Sequence, residues 1–450
     1  MPGIKKQKSK KDQKKKMNKW LINYFIYIFL PSILWAQQPN DSSGISLIQT
    51  VSIDTNAVNQ FPFIQFEKNV FEFPSSENRN WDELYLSIDS MIELKDRKLN
   101  FYHIGGSHIQ ADIYTHDFRS FLQRNWPGLT GHRGLVFPFN LARTNNPSNY
   151  RFTSLNNWSG YRSVIHRPKF LHYGITGAAI SCSDSLIGLN FIYKKTRVSP
   201  PIAALRIYHN SGVIPFDFNF GSNEILIESV RRCAEMGYTE IQFTDPIDSL
   251  DIQFVRTSKA PYRLDLYGFE LMNTLPGISY NSIGINGAGL YTYLDNEFFL
   301  RDLKQTPPDF FAFSVGTNDG FMTYEKFDPN VYKENLEAMI KIVLEANPNC
   351  AILLTVPNDC YYKRRYPNKN TERQRKVIIE LAKKYNTGVW DFYGFMGGLG
   401  SSYTWRDANL MRSDLIHFTK EGYHLKGELY IDAFLKYLNQ KECELENINF

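Results

Sequence analysis

A strand–helix rhythm that stops and then restarts governs how this 450-residue chain can fold. Leu99 to Ile104 (LNFYHI) is a short strand-like run, followed by Gly105-Gly106-Ser107. The helix-like stretch from His108 to Arg124 comes next, with Ile109, Ile113, Phe118, Phe121 and Leu122 broadly at helical spacing. From about 275 the alternation resumes. Asp309 to Val315 (DFFAFSV) reads as a buried strand, Val331 to Ala346 as an amphipathic helix and Ala351 to Val356 (AILLTV) as another buried strand. Thr371 to Tyr385 reads as a second helix, Val389 to Phe392 as a strand, and Lys420 to Leu438 as a last helix with Thr419 as its N-cap. Strands and helices alternating over short links predict an α/β domain, a parallel sheet with helices on both faces.

Between about 178 and 272 the rhythm is replaced by short β-rich pieces: Leu186 to Tyr193, Ala203 to Tyr208, Glu224 to Glu228, Glu240 to Thr244, Leu250 to Val255 and Arg263 to Leu271. Turn-forming residues separate them at roughly ten-residue spacing, the pattern of a β-sandwich. Because the α/β pattern brackets this stretch, it reads as an insertion. The expected organisation is a leader over 1–36, a polar, loosely packed N-terminal extension over 37–98, the first part of the α/β domain over 99–177, an inserted β-rich domain over 178–272, and the second part of the α/β domain over 273–442.

The leader explains the charge. Eight lysines lie between Lys5 and Lys16, Lys19 adds another, and only Asp12 opposes them. Taking this +8 from the formal +5 leaves the rest of the chain at −3, so no basic footprint for nucleic acid remains. A lysine-rich stretch, an apolar run from Trp20 to Trp35 interrupted by Pro31, and then Ala36-Gln37-Gln38 have the layout of a secretory signal, with Met17 as an alternative start. The run is short for a spanning helix. Leu34, two positions before Ala36, leaves an uncleaved N-terminal anchor as the competing reading. Both place the bulk of the chain outside the cytoplasm, in the periplasm or cell envelope. The five cysteines have no metal-like spacing. Pairing of Cys182 with Cys233 or of Cys350 with Cys360 competes with buried free thiols.

Four separated pieces carry chemistry when read together. Gly105-Gly106-Ser107-His108 places a serine at the carboxyl end of a strand, where open parallel sheets put their ligands, and the glycines allow a tight turn that exposes its hydroxyl. In Ser282 to Ala288 (SIGINGA), Gly287 can aim a backbone N–H at a neighbouring strand end. Gly316-Thr317-Asn318-Asp319 ends a very hydrophobic strand. There an Asn amide can donate to a developing oxyanion while the Asp holds the loop. Asp414-Leu415-Ile416-His417 precedes the last helix, and a carboxylate three residues before a histidine can accept from Nδ1–H, leaving Nε2 free to take a proton from a serine.

In this order the four pieces resemble the blocks of the SGNH (GDSL-like) hydrolases, over roughly residues 99–175 and 275–440. The resemblance implies Ser107 as nucleophile, Asp414 and His417 as acid and base, and the Ser107 N–H, Gly287 N–H and Asn318 amide as an oxyanion hole. It also implies an ester hydrolase that needs neither metal nor cofactor. One position departs: Gly106 stands where the family usually has an aspartate. The inserted β-rich stretch resembles the arrangement in peptidoglycan O-acetylesterases, so the implied partner is an acylated polysaccharide. A carbohydrate-binding protein that has lost activity, and an acyltransferase with the same triad, are the alternatives. His103, His108 and His116 support no metal site by their spacing, although His108 could line the pocket. Gly131 to Phe139 reads as a loop at the cleft or a surface turn, and Tyr361-Tyr362-Lys363-Arg364-Arg365 as an exposed charge run that could grip a glycan.

Overall fold

The computed structural model describes residues 60–165, 168–194, 198–220 and 227–448, so the leader expected over 1–36 lies outside the described residues. No described helix is long and apolar enough to cross a membrane. Five strands form a parallel sheet: β1 (Lys98–Gly105), β2 (Gly277–Gly284), β3 (Phe310–Ser314), β4 (Ala351–Thr355) and β5 (Gly388–Trp390), in the order β2-β1-β3-β4-β5. β1 is hydrogen-bonded on both sides, Gly105 opposing Gly284 on one and Ser314 on the other. The carboxyl ends of β2, β1 and β3 therefore finish level. The strand order reverses at β1/β3, and open sheets of this kind bind ligands outside the carboxyl ends at such a switch point.

Alternation along each strand supplies both faces of the sheet. Phe101, Tyr280, Phe310, Ala312 and Leu353 face one core with the helices α1 (Arg79–Leu94), α3 (Tyr114–Leu122) and α7 (Lys420–Ile448). Ile104, Ile283, Phe311, Phe313 and Leu354 face a second core with α4 (Leu290–Leu294), α5 (Pro329–Ala346) and α6 (Asn370–Tyr385). The result is a three-layer α/β/α arrangement.

Two expectations need correction here. The extension over 37–98 is not loosely packed where it is described. α1 buries Trp81, Leu84, Tyr85, Ile88, Met91 and Ile92 in the first core, and Ile64, Phe66 and Phe71 join them. At about 1.5–3 kcal/mol per fully buried large apolar side chain, this segment is integral to the fold. The single helix expected from His108 to Arg124 is two, α2 (Ser107–Gln110) and α3, broken at Asp112, whose φ is +44°. The break turns the Asp112 carboxylate inward, onto Arg119, Arg133 and Asn149.

Between β1 and β2 the chain builds two antiparallel sheets. One holds strands 159–162, 178–182, 264–272, 202–209, 238–247 and 227–233, with 134–136 paired to 264–272; the other holds 150–153, 186–193, 249–256 and 216–219. A separate apolar core fills the space between them, with Phe152, Phe191, Leu205, Ile207, Ile252, Phe254, Leu266 and Phe269 among its members. These sheets begin at Gly134, not at 178 as the periodicity suggested, because three short strands upstream pair with the later ones. The loop Gly131 to Phe139 is not a surface turn: it is buried, and Arg133, Val136, Phe137 and Phe139 line a pocket shared with Ile109 and Gln110 just beyond Ser107. The described cysteines are all free.

Candidate active site

Ser107 opens α2 directly beyond β1, so its N–H has no intrahelical acceptor. Its Oγ lies 2.8 Å from His417 Nε2, across 310 positions of sequence. His417 Nδ1 is 3.0 Å from Asp414 Oδ2, while Asp414 Oδ1 accepts from the N–H groups of Ile416 and His417, both at 2.9 Å. Leu415, with φ +58°, is what lets the chain fold back on this carboxylate. A left-handed non-glycine residue is a strained choice, and such strain collects where geometry is functional. Burial opposes ionisation of Asp414, but the two N–H groups and the imidazole outweigh it and hold its carboxyl below the ordinary range. With a fixed anion at Nδ1, the imidazole carries its proton there and presents a basic Nε2 to the serine.

The loop after β3 supplies Asn318. Its Nδ2 donates to the Ala288 carbonyl at 2.9 Å, and the same nitrogen would stand 2.9 Å from a Cβ on Gly106. One amide proton thus fixes the side chain against the turn that carries Ser107, and the second is left for a ligand. Gly287, beyond β2, has φ +88°, a conformation that favours glycine. Asp319 accepts from the Leu290 N–H at 2.9 Å and joins the Asn318 loop to the start of α4. Burial raises its pKa to about 6. Ser107, Gly287 and Asn318 therefore follow three neighbouring strands, and the Asp414–His417 loop, just before α7, meets Ser107.

Several supporting residues were not singled out in the sequence. Gln110, three residues after Ser107 and buried, accepts from the Asn286 N–H at 2.6 Å and donates to the Asn145 carbonyl at 2.7 Å and to Thr144 Oγ1 at 3.2 Å. It ties the Gly287 loop both to the serine's helix and to a loop of the sandwich. Asn358, beyond β4, donates to the Ile416 carbonyl. Neighbouring Asp359 accepts from the Gly400 and Ser402 N–H groups and the Ser402 hydroxyl. Tyr293 donates to the Gly105 carbonyl at 2.6 Å. Isolated amides, a carboxylate and a tyrosine hydroxyl have no spacing signature, so only the folded chain reveals them. His108 packs its ring 5.3 Å from that of His417 and bonds Tyr423 through Nδ1 at 2.9 Å. Burial, then the neighbouring Lys426 charge, depress its pKa well below the ordinary histidine value. His103 is buried in the sheet against Tyr280 and Ser314. Among the described residues no group of three or more His, Cys, Asp or Glu side chains could hold a metal ion.

The arrangement joins a hydroxyl, an imidazole and a carboxylate by hydrogen bonds, with the Asn318 amide against the Gly106 turn that carries the hydroxyl. That is the equipment for acyl transfer through a covalent intermediate. The GDSL-like lipase/acylhydrolase family model matches residues 263–425. Residues 263–425 therefore carry a GDSL-like lipase/acylhydrolase domain. The matched span holds Gly287, Asn318, Asp414 and His417, whereas Ser107 lies upstream of it, on the far side of the sandwich in sequence. The chain shares its fold with a solved peptidoglycan O-acetylesterase, at TM-score 0.68 and 17% identity, over 82% of this chain and 99% of that one. Other matches are a lipase/acylhydrolase from Enterococcus faecalis (24% identity, TM-score 0.29, 36% of this chain and 77% of that one) and an acetyl xylan esterase (20%, 0.29, 35% and 81%). No curated protein sequence matches the chain.

Proposed function

We propose that the protein is an exported serine esterase that removes O-acyl groups, O-acetyl above all, from a cell-envelope polysaccharide through an acyl-enzyme on Ser107. The observation that carries this reading is the 2.8 Å approach of Ser107 Oγ to His417 Nε2, backed by Asp414. His417 takes the serine proton as Oγ attacks the ester carbonyl. The N–H groups of Ser107 and Gly287 and the Asn318 amide receive the oxyanion, a donor of this kind typically being worth about 10²–10³ in rate. The imidazolium, steadied by Asp414, then protonates the leaving sugar oxygen. Water, activated by the same imidazole, releases the acyl group and restores the serine.

Two features support the substrate class. One is the shared fold with a peptidoglycan O-acetylesterase over nearly the whole of that protein, sandwich included. The other is the basic–apolar leader, whose layout is that of a secretory signal. Protein lacking residues 1–36 is expected to hydrolyse p-nitrophenyl acetate and to release acetate from O-acetylated peptidoglycan faster than from acetylated xylan. Ser107→Ala abolishes both. Equal rates for the two proteins would sink the assignment and leave the binding-only alternative.

A further inference from the structure

The run Tyr361 to Arg365 lies beside the proposed site. Tyr361–Tyr362 pairs antiparallel with Tyr366–Pro367, and the N–H groups of Arg364 and Arg365 close onto the carbonyls of Tyr361 and Tyr362. The base of this hairpin is tied to the acid–base loop, the Tyr361 N–H donating to the Leu415 carbonyl at 3.1 Å. Its flank meets the Asn318 loop, where Phe321 sets its ring edge-on to Tyr362 at 5.1 Å between centroids. The hairpin thus stands on two of the loops that supply polar groups to the site, those of Asn318 and of Asp414–His417.

Its tip is built against local preference. Lys363 and Arg364 have φ of +53° and +60°. Tight hairpin turns with left-handed central residues strongly prefer Asn-Gly or Asp-Gly, and two long cationic side chains there keep a strain that the easier residues would remove. Lys363, Arg364 and Arg365 are all exposed. Among the described residues none of the three is matched to a carboxylate, while Arg375 and Arg406 on nearby helices hold Asp391 and Asp407. Phe321 and Tyr362 are half-buried, leaving part of each ring open beside the cations.

We infer that this hairpin is a substrate subsite for an acidic glycan, with Tyr362 and Phe321 packing against a sugar ring and Lys363, Arg364 and Arg365 taking a carboxylate of the chain being deacylated. The inference rests on the esterase reading and narrows it to polymers bearing carboxylates, whether lactyl or peptide groups of peptidoglycan or uronic acids.

The test is the triple variant Lys363→Asn, Arg364→Gly and Arg365→Gln, which gives the turn its preferred residues and removes the charge. Its melting temperature is expected to equal or exceed that of the parent. The ratio of kcat/KM on O-acetylated peptidoglycan to that on acetylated glucomannan, a neutral polymer, is expected to fall at least tenfold. Acetylated glucuronoxylan in place of peptidoglycan tells uronic acids from the peptidoglycan groups as the carboxylate source. An unchanged ratio for both acidic polymers overturns the subsite. Binding separates this result from failure of the esterase reading. Ser107→Ala protein, which needs no turnover, is expected to co-sediment with peptidoglycan sacculi and to be released by salt, and the triple substitution in that background abolishes retention. Retention unaffected by the three substitutions refutes the subsite even if esterase activity stands.

Discussion

Returning the family's usual aspartate to position 106 is expected to damage this enzyme rather than improve it. A Cβ at Gly106 would lie 2.9 Å from Asn318 Nδ2 and 3.4 Å from the Ala288 carbonyl oxygen, so the amide must retreat by about half an ångström to regain ordinary contact. The backbone does not resist the change, since φ at Gly106 is −87°. The displaced atom is a side-chain end, so folding tolerates the shift. The chemistry does not, because that nitrogen is the proposed oxyanion donor and half an ångström is about the tolerance within which such groups work. Gly106→Ala should therefore lower kcat by between about tenfold and the 10²–10³ expected for loss of a donor, about 1.4–4 kcal/mol in the barrier. KM and the melting temperature should change little. Gly106→Asp should be worse, since it adds a carboxylate next to the forming oxyanion, and like charges about 4 Å apart repel by about 4 kcal/mol at an effective dielectric of about 20.

Initial rates on p-nitrophenyl acetate for Gly106→Ala, Asn318→Ala and the double variant decide the matter. If Gly106→Ala acts through the Asn318 amide, the double variant is no slower than Asn318→Ala alone. Rates that multiply, a Gly106→Ala enzyme as fast as the parent, or a faster Gly106→Asp enzyme would each refute the reasoning.

Asp414→Asn should lower kcat by about 10²–10⁴, because the imidazolium loses its counter-charge, yet leave more activity than Ser107→Ala; parity between the two on the same ester would contradict the assigned roles. Gln110→Leu should reduce kcat by about tenfold with KM near normal by freeing the Gly287 loop, and Gln110→Glu, which keeps the acceptor for the Asn286 N–H, should recover most of the loss; a fall in KM alone would argue against positioning. Lys426, buried with its ammonium 4.1 Å from the Phe392 ring, has its pKa pushed down by burial to about 7. Between about 7 and the ordinary 10.5 the unfolded chain binds more protons, so stability on this account rises with pH, and melting temperatures at pH 6 and 9 should lose that rise in Lys426→Met.

Sequence alone reached the parallel sheet because its strands are buried on both faces and read as unbroken apolar runs, as in Phe310 to Phe313. It reached the four polar blocks because each sits where a strand ends and polar residues are out of place. It missed the core role of the segment before β1, although Trp81, Leu84, Tyr85, Ile88, Met91 and Ile92 repeat at helical spacing. Surrounding Asn, Ser and Asp residues dominated the composition there and hid the stripe. It also began the β-rich unit too late, since strands of three or four residues such as 134–136 and 159–162 have too short a period to register and exist only through distant partners. The break at Asp112 was equally hidden, because the charges that turn it inward come from 7 and 21 positions away.

That break bears on what the sandwich contributes. Five residues beyond Ser107, the Asp112 carboxylate accepts from Arg119 on α3 and from Arg133 and Asn149 at the entrance to the sandwich. All four side chains are buried. Burial opposes the ionisation of Asp112, but the two guanidinium groups overcome it and hold the carboxyl far below its ordinary range. Removing one partner from such a buried set typically costs about 3–5 kcal/mol, since an uncompensated charge is left behind. The sandwich is therefore not a module on a loose tether. It is locked to the first turns after Ser107 through Asp112, and to the Gly287 loop through Gln110 and Thr144. A shift in the sandwich would accordingly reach the Ser107 turn and the Gly287 loop before it reached His417.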